Sequence, residues 1–143
     1  MKVTKGVHFL FEDIEPLVRL HIGISDRLDE NRSQSFTVLY CDFSEVDLSI
    51  IQTVLEQALR GSDCISNFGK DYFFILPYTD KYGASIVAKM FEDFFATSIN
   101  TAMVSYPEDG ESAKALLTEL QNSASAKYAN DLKFLDHIVY REF

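Results

Sequence analysis

The stretch "SDCISNFGKDYFFILP", Ser62 to Pro77, constrains the fold more than any other part of this chain. Two runs rich in apolar, aromatic and β-branched residues flank Gly69-Lys70, and a short glycine-containing break between such runs marks a β-hairpin. An acid, Asp71, follows the turn directly. The same stretch therefore reads as a catalytic turn, as the remnant of one, or as a hairpin alone.

The segments around the hairpin set its context. "SFTVLYC", Ser35 to Cys41, is too continuous in its apolarity for a half-exposed strand and predicts a central strand buried on both faces. "FSEVDLSIIQTVLEQALRG" predicts a helix capped by Ser44, with Asp47 three residues on. Its apolar face is Val46, Ile50, Ile51, Val54, Leu55, Ala58 and Leu59, and it stops at Gly61. After the hairpin, "DKYGASIVAKMFEDFFATS" predicts a second amphipathic helix with Ile86, Met90, Phe94 and Phe95 toward the core. Phe73, Phe74 and Phe91 are expected to pack there as well. "INTAMVSYP" reads as a strand, "DGESAKALLTELQNSASAKYAN" as a turn and a helix, and "LKFLDHIVYREF" as a closing strand.

Residues 1–34 differ in character. Leu17, Leu20, His21, Ile24 and Leu28 recur at helical spacing between Glu15 and about Asn31, with Pro16 suited to a first turn and Gly23 weakening the middle. "MKVTKGVHFLF" before them reads as a strand or an arm. The order of elements matches a split βαβ arrangement of ferredoxin-like type, an α+β fold with a central, mostly antiparallel sheet flanked by helices. The expected organisation is an N-terminal helical extension, 1–34, and one domain, 35–143.

Composition excludes several function classes. The chain has 143 residues and a net charge of −9, with thirteen Lys and Arg and no run of them, so it repels phosphate backbones and nucleic-acid binding is not expected. No hydrophobic run reaches the length of a membrane span and no secretory signal pattern opens the chain, so a cytoplasmic protein is expected. Cys41 and Cys64 lack zinc-site spacing and read as buried free thiols. His8, His21 and His137 lack a Cys or Glu at ligand spacing, so no metal site is expected among them.

Two segments carry a family resemblance. "RGSDCISNFGKDYFFILPYTD" resembles the signature hairpin of GGDEF domains, the diguanylate cyclases that join two GTP molecules into cyclic di-GMP, and "INTAMVSYPEDGESAKALLTELQNSASAKY" is similar to the family's closing motif. The resemblance covers Ser35 to Tyr128 and implies the nucleotidyl-cyclase-like GGDEF fold. It is a degenerate likeness. The signature Gly-Gly-Asp/Glu-Glu-Phe is here Gly69-Lys70-Asp71-Tyr72-Phe73. Lys70 adds a Cβ and a long side chain where the family turn approaches GTP phosphates, and Tyr72 replaces an acid with a poor magnesium ligand. Asp71 and Asp42, at the end of the central strand, match family metal-binding positions and are expected to be relics. The chain passes from Asp42 to Asp63 in 21 residues, leaving no room for the family's guanine-reading segment. The Asp-x-Leu-Thr-Gly-Leu-x-Asn-Arg lead-in is also absent. Loss of cyclase activity and no cofactor are the expectation.

One family motif is intact. Arg60-Gly61-Ser62-Asp63 stands five residues before Gly69, where many GGDEF domains carry an inhibitory Arg-x-x-Asp site for cyclic di-GMP. A guanidinium forks onto guanine N7 and O6, and a carboxylate accepts from the guanine N1–H and N2–H₂ edge. Without a ligand, Arg60 complements a helix C-terminus and Asp63 caps the turn into the hairpin. Family receptors add a further Arg, for which Arg19, Arg27 and Arg32 are candidates. Lys127 matches the family's closing lysine and reads as a surface residue. The resemblance thus implies a non-catalytic signalling domain of one of two kinds. It is a cyclic di-GMP receptor through Arg60 and Asp63, or a protein-interaction or dimerisation module that binds no nucleotide, partnered by another signalling protein or a second copy.

Overall fold

A computed structural model describes residues 6–28 and 35–128. The closing strand expected from "LKFLDHIVYREF", together with Arg32 and His137, lies outside the described residues. The elements in chain order are β1 (Val7–His8), a short 3₁₀ turn (Phe11–Asp13), α1 (Ile14–Leu28), β2 (Phe36–Asp42) and α2 (Leu48–Ala58). They continue with β3 (Cys64–Phe68), β4 (Asp71–Pro77), α3 (Lys81–Phe95), β5 (Thr101–Tyr106) and α4 (Ala113–Tyr128).

The five strands form one sheet in the order β1-β3-β4-β2-β5. Among the described residues only the β1–β3 pair is parallel, and the other three are antiparallel. β4 lies between β2 and β3, and β2 between β4 and β5, so each strand-helix-strand unit is split by an inserted strand. That is the expected ferredoxin-like α+β architecture. β2 is central, and its alternation assigns one face of side chains to each helical layer. Phe36, Val38 and Tyr40 join the core under α1 and α4, and Leu39 and Cys41 join the core under α2 and α3. None of these five is more than 1% exposed. Full burial of a large apolar side chain contributes about 1.5–3 kcal/mol, so β2 anchors both layers.

The N-terminal segment takes part in this core. Ile14 and Val18 of α1 are buried against it, and β1 extends the sheet beyond β3.

The helices differ from expectation in which residues they bury. α3 buries Ala84, Ala88, Phe91 and Phe95, whereas Ile86 and Phe94 are each 45% exposed. Small alanines let the helix lie close to the sheet, and Ile86, midway between them, and Phe94 are turned outward. α1 likewise buries Ile14 and Val18 and exposes Leu20 and Ile24, and Ile50 of α2 faces solvent. The cap of α2 is Asp47 rather than Ser44: its carboxylate accepts from the Ser49 backbone N–H at 2.9 Å, and the helix starts four residues after Ser44.

Candidate functional site

The β3–β4 hairpin has a tip at Gly69-Lys70 and a root at the 60–63 turn, separated by the length of β3. At about 3.3 Å per residue the two ends lie about 20 Å apart, so they are separate environments.

At the tip, Phe68 pairs with Asp71 and leaves a two-residue loop. Gly69 has φ +62° and Lys70 has no positive φ, the type II′ pattern that matches strand twist and favours glycine in the first position. The Lys70 carbonyl accepts from Phe43 N–H at 2.9 Å, and its ammonium donates to the Val46 carbonyl at 2.8 Å. Lys70 thus ties the tip to the loop between β2 and α2. Asp42 and Asp71 are direct register partners on adjacent strands. The Asp42 carboxylate accepts from Ser44 N–H, and Asp71 accepts from the Tyr40 hydroxyl at 2.6 Å. Burial, with a contribution from the Asp42 charge, raises the Asp71 pKa above the usual carboxylate value, against the Tyr40 hydrogen bond that lowers it.

Tyr72 belongs to the other face. Its ring lies 4.8 Å from Phe43 and 6.1 Å from Phe74, centroid to centroid, and burial raises its pKa. Where the family signature carries an acid, this chain packs an aromatic cluster. The residues at the tip do not fit a magnesium centre: one of two carboxylates is engaged by Tyr40, and the third position is a half-buried ring packed against Phe43. Among the described residues no group of three or more His, Cys, Asp or Glu side chains is placed to hold a metal ion.

At the root, the only Arg-x-x-Asp of the chain is closed on itself. Asp63 is 2% exposed. Its carboxylate accepts from the Arg60 backbone N–H at 2.8 Å and from the Arg60 Nη2 at 2.8 Å. The Asp63 N–H donates back to the Arg60 carbonyl. Arg60 Nη2 also donates to the Pro77 carbonyl at 2.7 Å and to Thr79 Oγ1 at 3.0 Å. The N-terminal arm docks on the same turn, with Gly6 N–H on the Arg60 carbonyl and Val7 N–H on the Asp63 carbonyl. Arg60 and Asp63 therefore join the arm, the 60–63 turn and the exit of β4. The turn-capping role expected of Asp63 without a ligand is thus present, and the direct bond between the two side chains adds to it: an acid three residues after an arginine can close a turn as readily as it can read a base.

The remaining predicted residues stay apart. Arg19 pairs with Glu15 at 3.0 Å, and Arg27 is exposed in the last turn of α1. Neither is among the partners of Arg60. Lys127 is exposed at the end of α4. Cys41 and Cys64 are buried free thiols; burial, with a contribution from the Asp63 charge, pushes the Cys64 thiol up to about 11. Sequence reasoning passed over a cavity of about 230 Å³ between α1 and the root, lined in part by His21, Ile24, Ser62 and Tyr78. No helix among the described residues is long and apolar enough to cross a membrane.

Comparison with solved structures identifies this fold. The chain is similar to the GGDEF domain of TpbB (YfiN) from Pseudomonas aeruginosa, with a TM-score of 0.69, 16% identity and 82% of each chain covered. It is similar to a sensory box/GGDEF family protein from Caulobacter crescentus, with a TM-score of 0.61 and 14% identity over 82% of this chain and 91% of that one. It is also similar to the diguanylate cyclase SiaD of Pseudomonas aeruginosa, solved with its activator SiaC, with a TM-score of 0.57 and 15% identity over 78% of this chain and 53% of that one. No protein-family model and no curated protein sequence matches the chain. The fold is GGDEF-like.

Proposed function

We propose that this chain is a non-catalytic GGDEF-like domain that acts by contacting another protein, and that it neither makes nor binds a cyclic dinucleotide. The closed Arg60–Asp63 pair carries this reading. A carboxylate that is 2% exposed and bonded to a backbone N–H and a guanidinium would have to be uncovered before a guanine edge could reach it, and each charged hydrogen bond given up in doing so costs about 1.5–3 kcal/mol. Loss of catalysis is supported by Tyr72, whose ring packs against Phe43 where an acid is needed, and by Lys70, whose side chain is bonded to the Val46 carbonyl. A protein partner is supported by Tyr82 and Ile86, two exposed apolar side chains one turn apart on α3. SiaD, a similar structure, is itself held in a complex with an activator protein.

One observation favours the receptor reading. The Arg60 side chain is half exposed and borders an open cavity of about 240 Å³ with Thr79, Gly83 and Ile86. Calorimetry with cyclic di-GMP separates the two. No heat is expected from the wild-type chain; saturable binding that disappears in Arg60→Ala would make the domain a receptor instead. Incubation with GTP and magnesium, followed by chromatography, is expected to yield no cyclic di-GMP, and any product overturns the non-catalytic reading.

A further inference from the structure

The corner that follows β4 is strained, and the strain is placed beside a cavity. Tyr78 has φ +55°, in the left-handed region that bulky L-residues avoid at a cost of about 1–2 kcal/mol. Ala96, the other non-glycine residue in this region, is the ordinary left-handed cap of α3. Tyr78 caps no helix. The corner is held by several bonds: Tyr78 N–H donates to the Ser35 carbonyl at 2.8 Å, and the Pro77 carbonyl accepts from Arg60 Nη2 and from Thr79 Oγ1. The Tyr78 backbone bond would serve equally with glycine, which adopts this φ freely. Nor does packing of the ring repay the strain, because the residue is 61% exposed. The fold leaves the tyrosine ring unexplained.

The ring stands at the cavity of about 230 Å³ between α1 and the hairpin root, with His21, Ile24, Phe36, Ser62 and Pro77 among the other walls. The volume exceeds the roughly 150 Å³ that accepts a benzene ring. Among the described residues the walls carry no Lys, Arg, Asp or Glu, and the chain as a whole carries a net charge of −9. A neutral guest is therefore favoured over an anion. His21 is engaged within the fold at both ring nitrogens: Nδ1 lies 2.8 Å from the Leu17 carbonyl and Nε2 lies 3.9 Å from Cys64 Sγ. The imidazole ring itself is fixed against Phe36 at 5.7 Å between centroids.

We propose that this cavity binds a small, neutral, planar aromatic molecule, stacked on Tyr78. The site lies on the α1 side of the hairpin root, away from the turn at its tip, and it does not depend on the function proposed above. Indole is a suitable probe, with benzoate as the charged control. Titration of the full chain, followed by ligand-observed NMR and calorimetry, is expected to show saturable indole binding and none of benzoate. Tyr78→Gly relieves the positive φ, so its melting temperature should equal or exceed that of wild type. Its indole affinity should fall about tenfold or more, as loss of a stacking partner does. Absence of indole binding to wild type, equal binding of benzoate, or unchanged indole affinity in folded Tyr78→Gly would each overturn the proposal.

Discussion

At the root of the hairpin the Asp63 carboxylate is buried and meets a guanidinium, whereas at the tip the half-buried Asp71 carboxyl meets a hydroxyl and a second carboxylate, Asp42. Both acids sit at the edge of the same two strands, and both are ordinary residues for such places. What separates them is the partner within reach. A carboxylate taken out of water is tolerated when a cation and a backbone N–H receive it, and it is a liability beside a like charge. The root thus uses its polar residues to hold the fold together. The tip keeps an acidic pair that opposes the fold, next to a lysine and a tyrosine that have taken structural places.

The sharpest way to break this contrast is to remove the root carboxylate. Asp63→Ala should destabilise the chain by about 3 kcal/mol, read as a lowered urea midpoint with an unchanged slope, because it frees the Arg60 backbone N–H and guanidinium together. A loss below about 0.5 kcal/mol, the range of an ordinary surface substitution, would show that the closed turn contributes little.

Substitutions at the tip should cost less. Tyr72→Glu restores an acid to the signature position but removes a ring from Phe43 and adds charge beside Asp71; a loss of about 1–2 kcal/mol is expected, with no cyclase product on incubation with GTP. Gly69→Ala forces a Cβ into φ +62° with open space around it, so its effect isolates backbone strain at about 1 kcal/mol. An unchanged midpoint there would mean that the tip relaxes without cost.

The fold was legible in the sequence because its signals are local and redundant. The glycine at the tip, the continuous apolarity of "SFTVLYC" and the helical spacing on either side each point to one element, and their order points to one topology. Helix faces were harder to read. Ile86 and Phe94 look like core by residue type, yet Ala84 and Ala88 hold the buried positions, because closeness of approach rather than bulk decides which side faces the sheet. The cap at Asp47 rather than Ser44 follows from a loop whose length spacing rules do not fix. The root was half legible: Arg60 and Asp63 were singled out, but their mutual closure and their hold on Pro77 and Thr79 depend on where β4 ends in space. The positive φ of Tyr78 had no sequence signal, since neither glycine nor asparagine marks it.

The contrast between root and tip is tested most directly by urea denaturation of Asp63→Asn and Asp71→Asn side by side at pH 7. A carboxyl whose folded pKa is raised favours the folded state when protonated. That contribution is present below the unfolded value of about 4 and is lost as pH rises through the folded value. Asp71→Asn removes the charge that causes the loss, so it should raise stability slightly at pH 7, with the gain fading below about pH 4. Asp63→Asn, which gives up the charged bond to Arg60, should lower stability by about 1–2 kcal/mol. Opposite signs support the account; shifts of the same sign, or an Asp63→Asn variant as stable as wild type, contradict it.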